Sequence, residues 1–434
     1  MAEPRPSPRP FHFRPLDVGR WATWGGYALV LAAAPLVFRG GLAQSLLTQM
    51  GIAIIACLSY NLLLGEGGML SFGHAVYGGL GGFAAIHLLA RVGAGGSHWP
   101  VSLVPLAGGA AGLASAAALG WAATRKSGTP FAMITLGIGE LVAALAPMLP
   151  EFFGGEGGVS ADRTAGPAAF GITFGPQRQV CWLVAAYCFA CTVLMFAFTR
   201  TPLGRLLNAV RDNPERVAFI GVDPRHVRWL AFTIAGGFAG IAGGLAALNF
   251  ELATAEILGA PRSGAVLLFT FIGGTSAFFG PIVGGVLMVL ATVVLSGLTQ
   301  AWLLYLGLAF LVMVMAAPGG VASLVLANLR LAAHGRLRPL LPGYLALAAA
   351  GAAALAGASA LVEMTYHLRL DAALGPVTRF AGLALDASRA PAWLGAAALA
   401  AGGGLAFEAA RRRFARRWDE AQEALARARP GARA

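Results

Sequence analysis

The residues able to do chemistry in this chain are few, and most sit inside apolar runs. Asn61, Ser71, His74 and Tyr77 flank a glycine break at Gly65 and Gly68, and Glu140 stands alone in the run LGIGE. A polar group at membrane depth costs several kcal/mol unless it is satisfied, on the order of 2–7 for a neutral one. Each is therefore a candidate to line a watery path. Ser71 and His74 are three residues apart and share a helical face. The competing reading is a hydrogen bond between helices with no solute involved. Glu140 must be neutral, paired or facing water. No second carboxylate sits at a helical offset from Glu140, and no nucleophile and base stand together. There is no His-Glu-x-x-His. The single lysine, Lys126, follows Arg125 and not glycine, so the chain has no phosphate-cradling Gly-x-x-x-x-Gly-Lys loop. Cys57, Cys181, Cys188 and Cys191 lack zinc spacing and read as small hydrophobes. The expectation is a protein that is not an enzyme, with no catalytic residue, metal or cofactor of its own.

The elements that hold these residues follow from composition. Of 434 residues, 57% are hydrophobic and 12% charged, about half the charge of a soluble domain. Mean hydropathy is +0.71. A helical membrane span takes about 20 apolar residues. Apolar stretches recur at 21–37, 42–64, 67–90, 100–123, 131–149, 179–198, 226–248, 263–279, 281–298, 301–317, 343–362 and 392–409. The expected fold is an all-α polytopic membrane protein of about ten to twelve transmembrane helices. Segments 67–90 and 263–279, interrupted by glycine, are candidates for a broken or re-entrant course. The net charge of +12 is read through the positive-inside rule and not as nucleic-acid binding. With the N-terminus cytoplasmic and all twelve stretches crossing, Arg125–Lys126, the arginines of 200–228, those of 318–342 and those after 410 all fall on the inner side. Gly236, Gly240 and Gly244 repeat every fourth residue, and Gly280 and Gly284 repeat the spacing. Such small-residue faces let helices pack closely in lipid.

The stretch from Arg200 to Arg228 carries two helix-start signals. Thr201–Pro202 opens a short basic amphipathic helix with Leu203, Leu206, Leu207 and Val210 on one side and Arg205, Asn208 and Arg211 on the other. Asn213, Pro214 and Glu215 open a second, which runs through Ala218 and stops at Gly221. Two capped helices between spans suit a docking element for a soluble partner. An interfacial helix resting on headgroups is the plainer reading.

This loop resembles the coupling loop of LivM-type permeases, the membrane subunits of branched-chain amino-acid ABC importers. Two other stretches are similar to that family: LLLG at 62–65 followed by GMLSFGHA at 68–75, and FIGG at 271–274 followed by FGPIVG at 279–284. Pro318–Gly319–Gly320 looks like the end of the family's permease domain. The resemblance covers about residues 40 to 325. It implies a multi-pass protein of the bacterial inner membrane that translocates branched-chain or related hydrophobic amino acids. It also implies partners: a second, LivH-type permease, two ATPase subunits that hold the ATP and Mg, and a periplasmic solute-binding protein. Urea or short amides are alternative cargo. An ion-coupled secondary transporter, with Glu140 and His74 as a relay, is the alternative class. The family places an acidic residue at the position of Glu140 too. The chain divides into a cytoplasmic segment 1–20, a permease domain 21–325 with its loop at 199–228, an appended hairpin of spans at 326–410 and a basic amphipathic tail at 411–434. The hairpin and tail depart from the family pattern, as does the short Val217–Gly221 run of the loop. The expected topology has both termini in the cytoplasm and the tail on membrane lipid.

Overall fold

Apolar runs bounded by proline, glycine and small capping residues fold into helix nearly throughout the computed structural model. It describes residues 18–96, 99–166, 173–299, 301–316, 319–333, 338–370, 377–380, 383–386 and 388–427. The segment 1–20 expected in the cytoplasm therefore falls mostly outside the described residues, as do Pro318 and the last seven residues of the tail.

The helices are α1 (Val18–Val37), α2 (Gly41–Asn61), α3 (His74–Gly93), α4 (Val104–Ala123), α5 (Thr129–Leu145), α6 (Pro150–Phe153), α7 (Gln177–Arg200), α8 (Pro202–Asp212), α9 (Pro214–Phe219), α10 (Pro224–Phe250), α11 (Ala260–Gly273), α12 (Gly280–Val289), α13 (Ser296–Leu298), α14 (Trp302–Ala316), α15 (Gly320–Ala333), α16 (Leu341–Leu370) and α17 (Ala390–Arg427). Among the described residues, eight helical segments are long and apolar enough to cross a membrane, or nine if the bent pair Trp302–Met315 and Gly320–Leu329 is one span. The protein is an all-α polytopic membrane protein. The sequence stretches that fall short are those at Ala260–Gly273 and Gly280–Leu295, apolar but only 10–17 residues each. Stretch 67–90 is also shorter than its hydropathy suggests, because its helix begins only at His74.

The chain divides into two units. The first comprises Met1–Ile55, His74–Arg125 and Ile138–Gly259. Its centre is a three-helix stack of α3, α4 and α10, built on the small residues that lipid-embedded helices use to approach one another. Gly240 is packed so tightly that a Cβ there would strike the Gly108 carbonyl and lie 2.9 Å from Gly112 Cα. Gly236 faces Ala116, and Gly244 lies against Pro105. Larger side chains fill the rest: Phe83, Ile86, Phe232 and Leu245 are fully buried. A two-residue antiparallel pairing of β1 (Val159–Ser160) with β2 (Leu252–Ala253) ties the loop before α7 to the end of α10.

The second unit comprises Ala56–Gly73, Lys126–Gly137 and Ala260–Ala434. Here α11 meets α12 at glycine: Gly280 sits against the carbonyls of Gly273 and Gly274, and Gly284 against that of Phe269. The appended α16 and α17 form an antiparallel hairpin bridged by β3 (Val377–Phe380) and β4 (Leu383–Asp386). Gly357 packs on Ala396 and Ala400, and Gly403 on Ala353 and Ala354. Ala360, Met364 and Ala396 form a small core with Trp393. Leu345, Leu355, Leu394 and Leu405 are exposed on the outside, as a lipid-facing surface requires. Glu363 on α16 accepts hydrogen bonds from Tyr305 (3.1 Å) and Thr299. The described part of the tail continues the last apolar helix: α17 runs unbroken from Ala390 to Arg427.

Candidate functional site

The glycine break is a helix that ends in a π turn. After Asn61 the chain widens over Leu62–Glu66, then leaves helical geometry at Gly68, whose φ is +62°. The Gly68 amide donates to Leu64 O (3.1 Å) and the Met69 amide to Leu63 O (2.8 Å). Widening satisfies these carbonyls while freeing the chain to turn. Gly65 has no room for a side chain, because a Cβ would meet Asn61 Oδ1 and lie 2.9 Å from the Thr275 carbonyl. Residues 69–73 are non-helical, and Met69 and Ser71 are buried. Tyr60 holds this segment: its hydroxyl donates to the Ser71 carbonyl (2.8 Å) and accepts from the Ser71 amide (3.2 Å). The Phe72 amide donates to Thr135 Oγ1 (3.2 Å).

Ser71 therefore lies outside any helix, and the shared helical face expected for Ser71 and His74 does not form. His74 is the first residue of α3 and is buried, as is Tyr77 one turn on. The rings of His74 and Tyr77 are 6.3 Å apart, and Tyr77 stands edge-to-face on Phe232 of α10 at 5.2 Å. Asn61 Oδ1 and Ser71 Oγ in the second unit, and Tyr77 OH and Thr233 Oγ1 in the first, are buried without a hydrogen-bond partner among the described residues. Buried polar atoms of this kind normally find a protein or water partner. Thr233 carries no sequence signal that would have singled it out. Glu140 is not in this group. It is exposed on α5, beside exposed Leu141.

The loop between α7 and α10 is built by three caps. Thr201 Oγ1 accepts from the Gly204 amide (3.2 Å), Asn213 Oδ1 from the Arg216 amide (3.0 Å) and Asp223 Oδ1 from the Arg225 amide (2.8 Å). The Arg225 amide, with His226 alongside at 3.1 Å, holds the Asp223 carboxyl below the ordinary aspartate range. The inner face of the loop is Gly204, Leu207, Val210 and Val217, all buried. Arg205, Arg211, Glu215 and Ala218 face outward. Gly221 closes α9 with φ +84°, its amide donating to Ala218 O (3.0 Å) while Val222 donates to Val217 O (3.3 Å). Two large apolar residues stand uncovered on this turn among the described residues: Phe219 is 89% and Ile220 70% exposed.

At the opposite ends of α7 and α10 the first unit carries a polar cluster that sequence reasoning missed. Arg163 donates to the carbonyls of Asn249 (3.1 Å) and Gly175 (3.2 Å), and Gln177 Nε2 donates to Asn249 Oδ1 (2.8 Å). Glu251 accepts the Arg163 amide (2.9 Å). A cavity of about 610 Å³ opens here, lined by Ser160, Asp162, Arg163, Thr164 and Glu251. The Thr164 hydroxyl and amide, both 2.7 Å from Asp162 Oδ1, keep that carboxyl below its usual range. The balanced charges of the loop gave no hint of this pairing, which only the return of α10 creates.

No group of three or more metal-ligating side chains occurs among the described residues. Comparison with known proteins places the permease portion. Residues 42–318 match the family described as branched-chain amino acid transport system / permease component. The chain is similar to the high-affinity branched-chain amino acid transport system permease protein LivM of Escherichia coli (strain K12), 30% identical over 329 residues that cover 70% of this chain and 75% of the relative. The protein of the same description from Salmonella typhimurium is 29% identical over the same shares. No solved structure matches. With the family match spanning more than half of its residues, this chain belongs to the branched-chain amino acid transport permease family.

Proposed function

We propose that this chain is one membrane subunit of an ATP-driven importer for branched-chain or related hydrophobic amino acids in the bacterial inner membrane. The observation that carries the reading is the loop at α8–α9: two side-chain-capped helices, followed by a third cap at the start of α10, that present the exposed pair Phe219–Ile220. Large apolar side chains left uncovered on a well-ordered turn suit insertion into a partner's groove. The partner would be a separate ATPase that holds ATP and Mg, since this chain has no phosphate-cradling motif. A second, LivH-type permease and a periplasmic binding protein complete the assembly in this reading. The chain itself does no bond-making. Motion of the loop shifts the spans between inward- and outward-open states, and the buried Ser71 and Asn61 of the second unit are candidates to line the path. Both termini lie in the cytoplasm in this topology.

Proteoliposomes holding the complete assembly test the reading. Uptake of leucine that requires both ATP and the binding protein is expected. Uptake driven by a proton or sodium gradient without ATP would replace it with a secondary transporter. ATP-dependent uptake of urea, with none of leucine, would keep the machinery and change the cargo.

A further inference from the structure

The appended helix α17 is far longer than a bilayer requires. Its 38 residues rise about 57 Å, against about 30 Å of hydrocarbon. The apolar part ends at Phe407, and a charged segment continues the same helix. Arg413 and Arg417 stand about 9 and 15 Å beyond Phe407 along the axis, within reach of the headgroup layer for side chains that extend toward it.

The rotation of this segment is fixed. Phe414 packs edge-to-face on Tyr344 of α16 at 4.7 Å and lies tilted against Trp418 at 5.8 Å, and it covers Gly343. Tyr344 in turn donates to Asn328 Oδ1 of α15 (2.7 Å). The aromatic stripe thus faces its own hairpin and not the headgroups. On another face, Glu408 binds Arg411 (2.6 Å) and Arg412 (2.8 Å). That leaves Arg413, Arg416 and Arg417, which at 100° per residue share an arc of about 100°. All three are exposed, and none is in an ion pair among the described residues; exposed Glu420 follows one turn further along the same arc, which leaves the arc with a net positive charge.

We propose that Arg413, Arg416 and Arg417 form a binding surface for anionic phospholipid headgroups, aimed and set at depth by the Tyr344–Phe414–Trp418 clamp. Guanidinium forks match the phosphodiester oxygens. The bilayer is the occupant the geometry favours, because the three side chains lie just past the last apolar turn of a membrane-facing helix. An acidic face on a soluble subunit is the rival occupant.

The test uses the purified full-length chain in neutral detergent and the triple variant R413Q/R416Q/R417Q. These side chains are exposed, so the variant should fold, and a melting temperature in detergent alone within 2 °C or so of the wild type checks that. Retention of phosphatidylglycerol and of phosphatidylcholine is measured by native mass spectrometry. Each arginine near an anionic surface contributes about fivefold in binding. The expected result is preferential retention of phosphatidylglycerol by the wild type, weaker at high salt, and a loss of tenfold or more in the variant. The triple lysine variant should keep most of it. Equal retention by wild type and glutamine variant overturns the proposal. So does full competition by inorganic phosphate at matched concentration, which would indicate a soluble-anion site. Unchanged lipid retention with lost co-purification of the ATPase subunits also overturns it, in favour of the protein partner.

Discussion

Gly221 carries more conformational demand than its exposed position suggests. Its φ of +84° is open to glycine and costly for a β-branched residue, about 1–2 kcal/mol. No other atom lies within 4 Å of where its Cβ would be, so the penalty is one of backbone geometry and not of space. Gly221→Val should insert normally, but present Phe219 and Ile220 at the wrong angle. The expected outcome is ATPase co-purification with uptake falling at least tenfold while ATP hydrolysis persists. Gly221→Asn, which tolerates the left-handed region better, should restore much of it. Normal uptake by the valine variant would show that the turn is not part of the coupling path. Asp223 makes a separate prediction. Its carboxyl is held low by the α10 amide it caps and by His226. A group whose folded pKa is depressed stabilises above its unfolded pKa, about 4, and loses that contribution as pH falls through the folded value. Amide exchange at Arg225 and its neighbours should therefore quicken as pH drops below about 4, after correction for intrinsic rates. Asp223→Ala should show the quickened exchange at every pH, by about 1 kcal/mol of cap energy. Gly221 was visible in the sequence as a stop glycine, whereas Asp223 was passed over there, although an aspartate before proline is the same kind of local signal.

At the scale of the element, the break at residues 62–73 joins two kinds of need. The π turn meets the backbone's hydrogen bonds, and Tyr60 meets those of Ser71's main chain, yet Ser71 Oγ and Tyr77 OH remain buried without protein partners among the described residues. If these groups serve a path, Ser71→Leu and His74→Leu should abolish uptake while membrane protein and melting temperature stay near normal. If they only tie the fold together, melting temperature should drop by several degrees and residual uptake should track folded protein. The first outcome is expected, and measuring both quantities on one preparation decides. The sequence made the break legible through Gly65 and Gly68, because glycine in an apolar run leaves few other readings. It could not say that the helix would widen before it ends. That depends on Asn61 and Thr275 crowding Gly65, and Thr275 is distant in the chain. The helical spacing of Ser71 and His74 misled for the same reason. Periodicity assumes a regular backbone, and here the backbone departs from it between the two residues.

For the whole molecule, hydropathy identified the membrane-spanning character, because twelve apolar stretches leave no soluble alternative. Two of those stretches proved shorter than a span, since helix ends at Gly273–Gly274 and Gly280 are set by packing that a hydropathy window does not see. The polar cluster of Arg163 and Glu251 was invisible, being a product of tertiary return. The appended hairpin touches the rest of its unit through Glu363 with Thr299 and Tyr305, and through Tyr344 with Asn328. Truncation after Pro339 should leave these partners exposed to lipid or water and lower the melting temperature by a few degrees. The truncated chain should still insert, assemble and transport. Abolished uptake at normal membrane levels would show that the hairpin takes part in the transport cycle. The π turn, finally, bears on which changes of length the gene can accept. It holds an extra residue within a helical course, so removing a codon there can restore an ordinary α turn and be absorbed locally. Removing one between Gly236 and Gly244 instead rotates half of α10 by about 100° and pulls its small-residue face out of register. A scan of single-codon deletions should thus recover membrane-inserted protein from residues 62–66, and little protein at all from residues 236–244.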